Sequence, residues 1–382
     1  MKVLEVNKND LKYNISLIKE MLRTSNVYEN SENGEITENS PKIIGVVKGN
    51  GYGLGLREIS EVLIKNDIKI LAVSSIEEAI ELKEMNLDAE ILLLGSTSIK
   101  DELEELIEKK ITLALGSFSQ IDNLKSIIEE KNIQEKVKVH LKIDTGFNRY
   151  GFKLEEIELL SERLKEISDL ISIEGTFSHF SYAYSNSEEY TKKQFKDFNT
   201  AIDILRSNGI STGLLHICNS SAFLKYPQMH LDAVRIGSAF IGRVAIKNST
   251  LRKVGKLYGK ISEIKNVKKD EYIGYSNTEK AKNDMKLAIV PVGYIDGLNS
   301  GKLNDTFKTI DKLRIAKNAL VDIFKDKYLY ATINGNRCKI IGKIGMNHVA
   351  IDITNKDINI GDKAYFNISP LNVNNKIRRE YI

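Results

Sequence analysis

Residues 43–55 read Ile43-Ile44-Gly45-Val46-Val47-Lys48-Gly49-Asn50-Gly51-Tyr52-Gly53-Leu54-Gly55. A β-branched run stops at a lysine and four glycines follow within seven positions, the pattern of a buried strand emptying into a loop whose backbone can approach a ligand. Ammonium groups are rarely set at the end of a core strand unless something pairs with them or uses them, because desolvation disfavours the charge. An amine held that way is nucleophilic near neutral pH and can form a Schiff base with a carbonyl. The plainer alternative is a solvated strand end. Neither the P-loop order nor a Rossmann glycine fingerprint is present.

Outward from this stretch a regular alternation sets in. Short apolar runs lie at Ile43–Lys48, Ile70–Ser74, Ile91–Leu94, Ile111–Leu115, Val137–Asp144, Ile171–Phe180, Leu214–Ser220 and Ala233–Phe240. Charged segments of helical period separate most of them, such as Leu56–Ile64, Ile76–Met85, Leu103–Ile107, Ile121–Ile128, Leu154–Leu164 and Phe195–Leu205. Eight strands separated mainly by helices predict an α/β fold of the (β/α)8 barrel type, with an open doubly wound sheet as the rival. A barrel demands reactive residues at the carboxyl ends of several strands. Lys48, Asp144 with Arg149, His179, Asn219-Ser220 and Arg235 with Gly237 meet that demand.

In Val137-Lys138-Val139-His140-Leu141-Lys142-Ile143-Asp144, period-two alternation puts His140, Lys142 and Asp144 on one face. His216 and Ser220 likewise oppose Leu215 and Ile217. His179 shares parity with Ile173 and Phe177, and there periodicity decides nothing. Before the first barrel run, Asp10 is a plausible N-cap for a helix carrying Leu11, Ile15, Ile18 and Leu22, and residues 24–40 read as a mobile polar loop. Helical periodicity fades after Ile241. Leu257–Ile264, Leu287–Val292, Tyr328–Ile333, Cys338–Ile344 and Val349–Ile353 are β-like, and Asn334-Gly335 is a good hairpin turn. Two domains are therefore expected, a barrel over residues 1–244 and a mostly β domain over 245–382.

A 42% hydrophobic and 28% charged composition across 382 residues describes a globular chain with a sizeable core. The formal charge of +4 is small and interleaved, so nothing points to nucleic acid as a partner. No run approaches a membrane span and Met1-Lys2-Val3-Leu4-Glu5-Val6 lacks a signal-peptide core, so the expected location is the cytoplasm. Cys218 and Cys338 have no metal-ligand spacing, no metal is expected, and a disulfide would be out of place there.

Taken together, these motifs resemble the alanine racemase family of pyridoxal-phosphate enzymes over nearly the whole chain. Val46 to Gly55 is similar to that family's cofactor-lysine motif. Leu141-Lys142-Ile143-Asp144-Thr145-Gly146-Phe147-Asn148-Arg149-Tyr150-Gly151 is similar to its signature on the fifth strand. His216 to Ser221, Val234-Arg235-Ile236-Gly237, Gly274-Tyr275 and Gly345-Met346-Asn347 follow in the family's order.

The resemblance implies alanine racemisation for cell-wall peptidoglycan by a homodimer with shared sites. Lys48 would hold pyridoxal 5'-phosphate and act as the base on one face of Cα, and Tyr275, from the partner subunit, as the base on the other. His179 and Arg235 would support the phenol, Arg235 facing the pyridine nitrogen. Tyr52, Asn219, Ser220, Gly237 and Ser238 would cradle the cofactor and its phosphate. Arg149 and the Met346 backbone would take the substrate carboxylate, and Lys142 matches a lysine carbamylated in many members.

This chain departs from the family pattern at several positions. Its usual alanines are Gly49 and Gly51 here, a usual histidine is Leu54, Cys-Met-Asp becomes Gly345-Met346-Asn347, and Asn367 is the nearest candidate for a phosphate-contacting tyrosine. A racemase of serine or a larger amino acid and a non-catalytic cofactor-binding homologue are the alternatives. A basic amino-acid decarboxylase would need a catalytic cysteine motif that Cys338 does not sit in.

Overall fold

The computed structural model describes residues 1–27, 40–246, 249–299, 309–324 and 328–382. Contacts divide the chain into Asn9–Val254 and a second unit of Met1–Lys8 with Gly255–Ile382. Residues 1–8, expected with the barrel, go with the β unit. Strand β1 (Lys2–Val6) pairs there, antiparallel to Lys256–Lys260 and parallel to Arg379–Tyr381. Such pairing is hundreds of residues distant in sequence and leaves no local signal.

In the larger unit β2 (Lys42–Val46), β3 (Ile70–Val73), β4 (Glu90–Leu93), β5 (Leu113–Leu115), β6 (Val137–Lys142), β7 (Ile171–Phe177), β8 (Leu214–His216) and β9 (Ala233–Ile236) form one parallel sheet in the order β4-β3-β2-β9-β8-β7-β6-β5. A parallel bridge from Leu92 to Thr112 joins the two ends, so the expected (β/α)8 barrel closes. The intervening helices bury one face each. Phe118–Glu130, for example, buries Ile121, Leu124, Ile127 and Ile128 and is capped by Ser117.

The first helix runs from Lys8 to Val27. Asp10 therefore lies in its first turn, paired with Arg252, and does not cap it. Residues 24–27 of the expected loop continue this helix, and the exposed Thr24 donates its Oγ1–H back to the carbonyls of Glu20 and Met21, a local bond that a polar residue makes without apolar packing. Residues 28–39 of that loop lie outside the described residues.

The smaller unit adds β10 (Lys256–Lys260), β11 (Glu263–Val267), β12 (Tyr272–Ile273), β13 (Glu279–Lys280), β14 (Met285–Val290), β15 (Tyr330–Ile333), β16 (Asn336–Ile341), β17 (Val349–Asp352), β18 (Lys363–Phe366) and β19 (Arg379–Tyr381). Nine strands order as β11-β14-β17-β16-β15-β18-β10-β1-β19, and β12 pairs with β13 alone. The run Leu257–Ile264 is thus two strands, β10 and β11, placed far apart in that order. Asn334 and Gly335 turn the β15–β16 hairpin with φ of 47° and 77°, the paired positive angles of a type I′ turn. A helix at Thr309–Phe324, which the fading periodicity did not lead one to expect, interrupts the β pattern. No described helix is long and apolar enough to cross a membrane.

Candidate active site

Lys48 leaves the end of β2 half-buried. The five residues after it, Gly49 to Gly53, all take left-handed backbone angles, with φ between 53° and 84°. That conformation costs an L-residue roughly 1–2 kcal/mol, which is why three of the five are glycine. The turn is held by bonds from Gly51 N to Val47 O (2.7 Å) and Gly53 N to Gly49 O (2.9 Å). Glu78 Oε1 accepts from Asn50 N (2.8 Å), and Asn50 Oδ1 from Leu56 N (2.8 Å). Burial, then the guanidiniums of Arg149 and Arg235, hold the Lys48 amine below its ordinary value, and Glu78 pulls the other way.

Arg235, on β9, is buried without a carboxylate partner among its hydrogen bonds. Its Nη1 donates to His216 Nδ1 (2.7 Å) and His216 O (2.9 Å), and its Nη2 to Ser178 O (2.6 Å), Ile217 O (3.1 Å) and His179 Nδ1 (3.2 Å). A guanidinium only donates, so both imidazoles accept at Nδ1 and, when neutral, carry their proton on Nε2. His216 Nε2 then donates to His140 Nδ1 at 2.8 Å. Burial and Arg235 keep the rings neutral, with His140 lowered to about 4 and His179 and His216 well below the usual histidine value. Desolvation lowers Arg235 itself to about 10, which leaves it cationic at neutral pH. The His140 ring fits because Gly175 faces it, where a Cβ would lie 2.5 Å from Nδ1. A bulge aligns that pair, since Val139 pairs with Ile173 and His140 with Gly175. Parity on β7 thus puts Phe177, stacked on His216, on the same inner face as His179.

Lys142 is buried at 5% exposure, and its Nζ donates to Leu94 O at 2.9 Å over the ring of Phe177. Burial, followed by Arg235 and Arg149, brings it down to about 7, so an uncharged fraction exists at neutral pH. Arg149 is exposed and stacks at 4.3 Å on Phe147, whose ring meets His179.

The residues expected to cradle a phosphate lie together around Gly237. Ser220 Oγ accepts from the backbone N–H groups of Gly237 (3.1 Å) and Ala239 (3.3 Å). The Tyr52 phenol lies against Gly237, where a Cβ would sit 2.5 Å from its hydroxyl. Burial raises that phenol to about 12, so it is a hydrogen-bond donor at neutral pH. Asn219 caps the helix Ser220–Lys225, accepting from Ser221 N and Ala222 N, and Ser238 is half-buried beside Gly237.

In the β unit, Tyr275 follows β12 at 68% exposure and Met346 is 51% exposed. Both line a cavity of about 650 Å³ with Gly274, Lys343, Gly345 and Asn347. The segment Gly293–Ile295 is fastened to this loop through Tyr294 N to Gly345 O (3.1 Å) and Ile295 N to Met346 O (3.3 Å).

These residues fit a pyridoxal phosphate. Nε of Arg235 has no acceptor among the described residues, and beside Gly237 the Ser220 hydroxyl, which accepts two N–H groups and keeps its own O–H, and the Tyr52 phenol each have a donor for a phosphate. His140, His216 and Glu78 were not named as site residues from sequence. The two histidines had a signal in their strand parity, while Glu78 had none beyond a charged helix.

The sequence model of the alanine racemase N-terminal domain matches residues 6–244 and that of its C-terminal domain residues 254–376. An alanine racemase of Borreliella burgdorferi is 31% identical over 367 residues, 94% of this chain and 86% of the relative. One of Fusobacterium nucleatum is 31% identical over 369 residues, 94% and 89% of the two chains. The solved structure of a Clostridium difficile alanine racemase in complex with cycloserine superposes with a TM-score of 0.81 at 27% identity, over 100% of this chain and 95% of that one.

A closed parallel barrel with a desolvated lysine at a strand mouth, continued by a β unit, makes the chain a barrel enzyme of the racemase class. It belongs to the alanine racemase family.

Proposed function

We propose that the chain interconverts L- and D-alanine with pyridoxal 5'-phosphate, as a cytoplasmic homodimer that supplies D-alanine for peptidoglycan. The observation that carries this reading is the half-buried Lys48 amine at the mouth of β2, its charge disfavoured by burial and by the guanidiniums of Arg149 and Arg235. The coenzyme, bound through its aldehyde, would delocalise the charge left at Cα when a proton departs.

Lys48 is the residue that would hold it, and Tyr52, Ser220 and the backbone at Gly237 and Ser238 would grip its phosphate. Arg235 would donate Nε–H to its ring nitrogen and, as a fixed cation, oppose protonation there. Arg149 and Met346 would orient the substrate carboxylate, with Lys142, once carbamylated, as an anionic support for Arg149. Inverting Cα needs a proton acceptor on one face and a donor on the other. Lys48 serves one face, and Tyr275 of a second copy the other. His179 keeps its proton on Nε2 because Arg235 occupies Nδ1, so it has a donor to offer a phenolate.

Deuterium wash-in at Cα of L-alanine tests this reading, with Lys48→Ala and Tyr275→Phe each abolishing exchange. Wash-in by the wild type and both variants alike contradicts it. Serine is the second substrate to test. Gly345 withdraws a side chain that would reach Tyr275 Cε2 at 3.5 Å, which makes room for a hydroxymethyl group.

A further inference from the structure

Lys48 opens a turn whose next five residues are left-handed, three of them without a Cβ and so without a side chain to anchor it. Beyond its own backbone bonds, the turn is tied from a neighbouring helix. The helix Ile76–Glu84 is capped by Ser75, whose hydroxyl accepts from Glu78 N, and Glu78 sends its carboxylate to Asn50 N at 2.8 Å. Asn50 in turn fixes the start of the next helix through Leu56 N. The charged groups acting on the Lys48 amine are Arg149 and Arg235, which disfavour its protonation, and Glu78, which favours it; Lys142 and His179 are coupled to it more weakly.

We propose that Glu78 is a positioning residue for the Lys48 amine, its carboxylate clamping the left-handed turn through Asn50 N–H and its charge countering the two guanidiniums that act on the same amine. One side chain thereby does two separable things. A glutamine keeps the acceptor oxygen and loses the charge, whereas an alanine loses both. The inference rests on Lys48 being the reactive amine of the proposed site, but its readouts need neither substrate nor turnover.

The full-length chain, freed of any bound aldehyde with hydroxylamine, is labelled with trace acetic anhydride. Acetylation of the Lys48 peptide is read by mass spectrometry from pH 6 to 10, and Lys48→Arg identifies that peptide. Amide exchange at Gly51 and Gly53 is followed in parallel. In Glu78→Gln, the lost countercharge should raise Lys48 labelling at pH 7 about threefold over the wild type, with glycine exchange unchanged. In Glu78→Ala, labelling should rise and glycine exchange should quicken about tenfold as the clamp opens. Lys48 labelling in Glu78→Gln equal to the wild type, or glycine exchange in Glu78→Ala equal to the wild type, overturns the proposal. A failed racemase assay alters neither result.

Discussion

His216 accepts a hydrogen bond at Nδ1 from Nη1 of Arg235 at 2.7 Å, and this contact fixes the protons of the barrel interior. The guanidinium has nothing to accept with, so every ring it touches must present a bare nitrogen. Long-range nitrogen–proton correlation spectra at pH 7 should show His140, His179 and His216 all neutral with the proton on Nε2. A doubly protonated His216 at that pH would contradict the network.

Removing the acceptor exposes its worth. His216→Leu leaves a buried guanidinium N–H and His140 Nδ1 short of a partner, which should cost about 1–3 kcal/mol per orphaned group. Urea denaturation measures it, and a loss below 0.5 kcal/mol on that scale would mean that the bonds contribute little.

Lys142 sets a pH dependence of stability. Its amine titrates near about 7 when folded and 10.5 when unfolded, so between those values the unfolded chain binds more protons and stability climbs as pH rises. Below pH 7 the charge is buried at full cost. Lys142→Met should therefore stabilise the protein most below pH 7, by on the order of a few kcal/mol, and the gain should shrink toward pH 10. Denaturant midpoints in buffers free of carbon dioxide give the comparison. A gain independent of pH would place the effect in packing.

Gly237→Ala would drive a methyl group into the Tyr52 ring, which lies within 2.5 Å of that Cβ position. The phenol must swing out of the cradle. Affinity for pyridoxal phosphate, read by fluorescence titration, should fall at least about tenfold, equivalent to one lost charge-assisted hydrogen bond. Unchanged affinity would remove Tyr52 from the phosphate site.

Arg235→Glu exchanges a cation for an acid at the proposed ring-nitrogen position. Transamination should rise relative to racemisation, measured as pyruvate formed per racemisation event. An unchanged ratio would count against the role given to the guanidinium.

Much of the barrel was legible because parallel strands buried on both faces read as short β-branched runs, and each of the eight runs holds a strand. The inner face of β6 was legible through period two, which brought out His140 and Lys142. β7 was not, since a bulge at Glu174 and an inward Phe177 mix polar and apolar groups on one face. Three features had no local signature. β1 pairs with strands from the far end of the chain, Glu78 acts through one backbone N–H, and Asp296 is a buried acid whose partner, Lys2, is contributed by β1. The glycines at 49 and 51, departures from the family pattern, turned out to suit a left-handed turn that penalises a Cβ.

On the proposed function, one copy contributes Lys48 and another Tyr275 to each site. Lys48→Ala and Tyr275→Phe chains, each inactive alone, are mixed, unfolded together and refolded, and alanine racemisation is measured. Random pairing into symmetric dimers makes half of the molecules hybrids with one intact site each, so the mixture should recover about a quarter of wild-type activity. Activity no greater than the sum of the two inactive variants would contradict a site shared between copies.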